Sequence, residues 1–163
     1  MPMSATPSRA KPKLMLAVQY ASKADDLPPR WRLRRWVAAA QEMAASLTLR
    51  FVDEAEGRML NRDFRAKDYA TNVLTFVYGE VGRGRALEGD IVICAPVLAK
   101  EAKAAGISRP AHCAHLVVHG MLHMQGWEHE DDAEAEAMET KEAQLLARFG
   151  FGNPYRRGTG GKR

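Results

Sequence analysis

Four of the five histidines fall at positions 112, 115, 119 and 123, and the fifth is His129. Imidazole is the commonest protein ligand for metal ions, so a cluster of this density raises metal chemistry first. On a helix, residues four apart share a face and are about 6 Å apart along the axis. His119 and His123 can therefore direct their rings at one ion, and His115 with His119 could do the same. All three cannot, because His115 and His123 are separated by about 12 Å of helix. A third ligand must come from beyond the helix. Gly126 supplies a break where the chain can take a positive φ and reverse, and His129 follows three residues later. The spacing His119-x3-His123-x2-Gly126-x2-His129 thus builds three neutral nitrogen donors with one position open, the donor set of catalytic zinc. Zinc is the expected ion, and nickel or another late divalent metal stays open. Such an ion acidifies water and acts as a Lewis acid.

The same histidine and glycine spacing occurs in metzincin proteases, where a Glu follows the first ligand and serves as general base. Here that position is Gly120. Without a carboxylate there, peptide hydrolysis loses its usual proton acceptor, so a metalloprotease is the alternative reading. A factor whose metal is only structural is a further one.

These ligands need a helix to carry them. Pro110 suits a helix start and Gly126 its end, giving a metal-bearing helix to about Gln125. Upstream, Leu14 to Tyr20 reads as a first strand. From Trp31, the positions Leu33, Trp36, Val37, Ala40 and Ala44 follow helical spacing. Leu47, Leu49 and Phe51 alternate as in a strand, and Asp53 can cap a helix over about 54–64 in which Met59, Leu60 and Phe64 face inward. Thr71 to Tyr78 reads as a third strand. The glycines at 79, 82, 84 and 89 mark a mobile turn before a fourth strand, Asp90 to Ala95. A helix near 96–105 follows, and an acidic last helix opens at Asp131 and Asp132 and closes near Gly150, with a loose tail from Asn153. The expected fold is α+β, a mixed sheet of about four strands with about five helices and a zincin-like metal-bearing helix. Residues 14–155 form one expected domain, between a basic N-terminal tail, 1–13, and a basic C-terminal tail, 156–163.

The 163 residues are 46% apolar and 27% charged, enough to bury a core and exclude wholesale disorder. No apolar run reaches the length of a membrane span and no secretory signal is read at the start, so a soluble, cytoplasmic protein is expected, with no membrane partner. Cys94 and Cys113 lie in apolar segments and read as buried thiols rather than a disulfide. Charge is polarised along the chain. Residues 1–67 hold 13 basic against 7 acidic side chains, residues 128–147 hold 1 against 8, and residues 148–163 hold 5 against none. The basic ends favour a polyanion. The helix with Arg32 and Arg35 beside Trp31 and Trp36 offers an RNA track, although Trp36 shares the apolar stripe and reads as core.

Residues 119–129, His-Gly-Met-Leu-His-Met-Gln-Gly-Trp-Glu-His, resemble the signature of the YbeY family. The likeness extends to Leu60-Asn61 with Arg65, to Thr71-Asn72-Val73-Leu74-Thr75-Phe76, to Gly89-Asp90-Ile91-Val92-Ile93-Cys94 and to the acidic helix after His129. Trp127, Glu128 and Thr75 stand where the family commonly has Tyr, Asp and Ser. The resemblance implies a single-strand-specific endoribonuclease acting in small-subunit (16S) ribosomal RNA maturation and ribosome quality control. Its expected partners are single-stranded and ribosomal RNA and the small ribosomal subunit, with a ribosomal protein or an assembly GTPase as a candidate guide. It also implies a metal on His119, His123 and His129, with His119 and Arg65 as catalytic residues. A guanidinium suits that place, since it is charged at any relevant pH and can hold two phosphate oxygens. His115 is expected as a base or as a partner to the ligands, Glu128 as an orienting group for His129, and Asn72 as a substrate contact or a loop tie.

Overall fold

Leu47, Leu49 and Phe51 share one face of a strand as their alternation predicts. That strand, β2, spans Ala45–Val52 in the computed structural model, which describes residues 11–79 and 84–156. Parallel to it on one side runs β1 (Leu14–Ala21), with Leu16 opposite Leu47. On the other side β4 (Leu87–Cys94) is also parallel, with Ile91 opposite Leu49. The edge is β3 (Val73–Tyr78), antiparallel to β4, so the order is β1-β2-β4-β3. Parallel neighbours need a crossover. Helix α1 (Arg30–Ala40) makes the first one, and α2 (Glu54–Arg65) lies in the second. Then follow α3 (Ala95–Ala105), α4 (Arg109–Met124) and α5 (Asp132–Arg148). Four strands in a mixed sheet with five helices make this an α+β fold.

Alternation along the strands divides the core. Phe51, Ile91 and Ile93 join Leu33, Trp36 and Val37 of α1, Val117, Met121 and Leu122 of α4, and Leu145 and Leu146 of α5 in the main cluster. Val52, Leu74, Val92 and Cys94 face the other way, toward Leu60 of α2. Each fully buried Leu or Ile contributes on the order of 1.5–3 kcal/mol. Trp36 is buried, as its place in the stripe implies, whereas Trp31 is 67% exposed. Both thiols are buried, and desolvation pushes that of Cys113 up to about 12. No helix among the described residues is long and apolar enough to cross a membrane.

Several local expectations give way. In α2, Met59 is 41% and Phe64 66% exposed, and the buried positions are Gly57 and Asn61. Small residues win there because the helix approaches so closely that a Cβ on Gly57 would lie 3.3 Å from Cys94 Sγ. Asp53 does stand at the N-cap, but its carboxylate accepts from the Ser22 hydroxyl and the Lys23 N–H instead of capping α2. Ala44 falls beyond the end of α1. The third strand starts at Val73 rather than Thr71, and the fourth at Leu87, three residues before Asp90. The tail from Asn153 is anchored at Tyr155, whose hydroxyl donates to Glu142. Residues 1–10 of the expected N-terminal tail, residues 80–83 of the expected mobile turn and residues 157–163 of the C-terminal tail lie outside the described residues.

Gly89 belongs to β4 and not to a turn. A Cβ there would sit 2.2 Å from the Phe76 carbonyl oxygen and 2.4 Å from Met124 Cε, so only glycine lets β3 and the end of α4 close on β4 together. Gly89→Ala is expected to cost about 1–3 kcal/mol through this overpacking. A urea unfolding curve checks it, and an unchanged midpoint would show that the strand has slack at this point.

Candidate metal centre

Helix α4 is apolar almost all round, with Cys113, Leu116, Val117, Val118, Met121 and Leu122 buried, and this fixes its roll on the sheet. Ser108 caps it by accepting from the Ala111 N–H at 3.2 Å. Gly120 faces β3, where an added Cβ would lie 3.3 Å from Thr75 Cγ2 and 3.5 Å from Ile91 Cγ2. A side chain at 120 would press on Thr75 by a few tenths of an ångström, so glycine lets α4 and β3 approach closely here. With that face pinned, His119 and His123 open on a cleft of about 490 Å³ between α4, the edge strand β3 and the end of α2.

The turn after α4 returns the third histidine. Gly126 has φ 102°, the left-handed conformation expected of it. Gln125 locks the turn to α1: its amide donates to the Ala40 and Met121 carbonyls, and its oxygen accepts from the Glu42 N–H at 2.6 Å. The Trp127 indole N–H reaches the Glu42 carboxylate. His129 then lines the same cleft, its ring centre 5.7 Å from that of His119 and 6.4 Å from that of His123.

Glu142 of α5 holds this arrangement from behind, and sequence reasoning missed it. It is fully buried, and its carboxylate accepts from His119 Nδ1 at 2.6 Å, from His115 Nε2 at 2.9 Å and from the Tyr155 hydroxyl. Burial alone would raise its pKa, but the hydrogen bonds from His115, His119 and Tyr155 outweigh that and hold the carboxyl down to about 2. Burial and the same carboxylate push the Tyr155 phenol up. The signal was present in the pattern. Met138, Leu145 and Leu146 make the buried stripe of α5, and a glutamate at 142 falls inside it.

The donor set fits a late divalent ion. With Nδ1–H of His119 committed to Glu142, Nε2 is left as the basic nitrogen of a ring that lines the cleft, the usual carboxylate–histidine arrangement behind a metal ligand. Three imidazoles about 2 Å from one tetrahedral ion would have ring centres about 5 Å apart. Here the two pairs that include His129 stand wider, and among the described residues no three such side chains are close enough together to hold an ion.

Arg65, the last residue of α2, lines the cleft opposite the histidines and is exposed. Nearby Arg58 is clamped by Asp68 and Arg62 lies beside Asp63, but among the described residues Arg65 enters no ion pair. The other expected residues divide. His115 is tied to Glu142 and Tyr155. Asn72 is a loop tie: its oxygen accepts from the Val73 N–H and its amide donates to Glu101, which also holds His112. Glu128 is exposed and makes no hydrogen bond to His129 among the described residues. Arg32 and Arg35 are not brought to the cleft. They lie on α1, which packs mainly on α4, but neither lines the cleft, and their guanidiniums lie over Trp36, Phe151 and Phe149. A second cavity of about 440 Å³, between the β1–α1 loop and the starts of α3 and α4, contains none of the expected site residues.

The sequence model of the family described as Endoribonuclease YbeY matches residues 30–150. The Endoribonuclease YbeY of Thiobacillus denitrificans is 56% identical over 144 residues, covering 88% of this chain and 97% of that protein. That of Aromatoleum aromaticum is 53% identical over 156 residues, covering 94% and 99%. The solution structure of TM1509 from Thermotoga maritima is similar in fold, with a TM-score of 0.54 at 21% identity, over 88% of this chain and all of that one.

Proposed function

The chain belongs to the endoribonuclease YbeY family, and from that premise we propose that it is a metal-dependent endoribonuclease that cuts single-stranded RNA during small-subunit ribosomal RNA maturation and ribosome quality control. The cytoplasm, where that RNA is made and assembled, is its proposed compartment, and the small ribosomal subunit its proposed partner. The observation that carries the reading is that three imidazoles line one cleft with an arginine that enters no ion pair among the described residues.

His119, His123 and His129 would hold one zinc or similar divalent ion, which supplies Lewis-acid charge beside the scissile phosphate. Arg65 donates two parallel N–H groups to phosphate oxygens and stabilises the charge that grows on them as the bond breaks. Glu142 keeps the His119 tautomer and ring orientation fixed. His115 has its Nε2 committed to Glu142 and Tyr155, so its part is to complete the carboxylate's shell. Glycine at 120 places no carboxylate beside the first ligand, which favours phosphodiester over peptide chemistry.

The test uses nuclease-free protein on a defined single-stranded RNA. Cleavage should stop when a chelator strips the metal, return with zinc, and leave casein intact. Product ends then separate two chemistries: a 2′,3′-cyclic phosphate reports attack by the neighbouring 2′-hydroxyl, and a monoester reports attack by water. Proteolysis would replace the reading with the protease, and chelation that unfolds a protein never able to cut RNA would leave an assembly factor with a structural metal.

A further inference from the structure

Phe64 is the residue before Arg65, and its ring lies at the mouth of the cleft. It is 66% exposed, an unusual place for a side chain whose burial is worth a few kcal/mol. It is not free to wander. Phe76 of β3 holds it in a T-shaped contact, ring centres 5.3 Å apart and planes at 72°, and Phe76 is itself packed against the cluster of Val52, Leu74, Val92 and Cys94. The protein therefore presents a fixed, wetted aromatic ring next to a cation that has no partner among the described residues. Within the cleft, donors for a phosphate and a flat apolar surface stand side by side, and a nucleotide offers the same pair of groups.

We propose that Phe64 is a stacking platform for the base of the nucleotide adjoining the phosphate held by Arg65, with Phe76 as the buttress that fixes its tilt. This rests on the endoribonuclease reading and adds to it a physical source of strand selectivity. In a duplex both faces of a base are covered by its neighbours, whereas an unpaired base can leave the stack and lay one face on a ring. Any of the four bases can do so, and the platform accordingly selects for strandedness and not for sequence.

The test compares full-length wild type with Phe64→Leu and Phe64→Trp on a short single-stranded RNA, both intact and carrying an abasic residue on either side of the cut. Leucine keeps an apolar contact with Phe76, and matched thermal melts confirm the fold. Phe64→Leu should raise KM about ten- to a hundredfold with a smaller change in kcat, and Phe64→Trp should preserve or lower KM. One of the two abasic substrates should impair wild type by a similar factor yet add little to the defect of Phe64→Leu, because each change removes the same contact. A wild-type KM in Phe64→Leu, or full additivity of the abasic and leucine defects, overturns the platform while leaving the nuclease in place. Absence of RNA cleavage by the wild type overturns both.

Discussion

Glu142→Ala is expected to lower unfolding stability by about 3–5 kcal/mol and metal affinity by about 10- to 100-fold. The carboxylate is the common acceptor of two imidazole N–H groups and one phenol, all drawn from elements that pack against α5 or follow it. Deleting it leaves three polar groups without this acceptor beside a hole the size of the lost CH2–COO⁻ group, and such groups cost more to leave unmade than they return when made. Glu142→Gln separates the two effects. The amide keeps the volume and one acceptor oxygen, so most of the stability should survive, but its NH2 opposes a donor and the neutral group no longer fixes His119 by charge. Urea unfolding of the metal-free protein and competition with a chromophoric chelator read the two quantities independently. If Glu142→Ala melts and binds zinc like wild type, the carboxylate has no part in the site.

The contrast between what could and could not be read beforehand follows from range. His119, His123, Gly126 and His129 lie within one turn-and-helix segment, and local geometry alone places two rings on one face and bends the third toward them. The strand order β1-β2-β4-β3, with the last strand reversed, has no local signature, since it is decided by which faces pair across the chain. Glu142 was hidden for a related reason: it sits in a run of eight acidic residues between 128 and 147, and only the apolar stripe around it separates a buried carboxylate from a solvated one. In α2 the reading failed through size. Their size points Met59 and Phe64 inward, whereas the close approach to Cys94 is made by Gly57 and the buried polar anchor is Asn61, whose amide donates to the Tyr69 carbonyl. That rotation releases Phe64 to the cleft and puts Arg65 at its wall.

Arg65→Ala is expected to reduce kcat for RNA cleavage by about 10²–10³-fold with little change in fold stability. The side chain is exposed and enters no ion pair among the described residues, so its removal deprives the folded state of almost nothing. What it removes, on the proposed mechanism, is a pair of donors for the phosphate oxygens on which charge develops. Arg65→Lys keeps the charge but replaces a planar fork by a point donor on a flexible stem, and it should recover only a minor part of the rate. A purely electrostatic role, such as drawing RNA toward the cleft, gives the opposite pattern: Arg65→Lys near wild type, and an alanine defect confined to KM that fades as salt is raised. Single-turnover cleavage at two ionic strengths distinguishes them, since a clamp acting on the transition state leaves the rate defect in place at saturating RNA and at high salt alike.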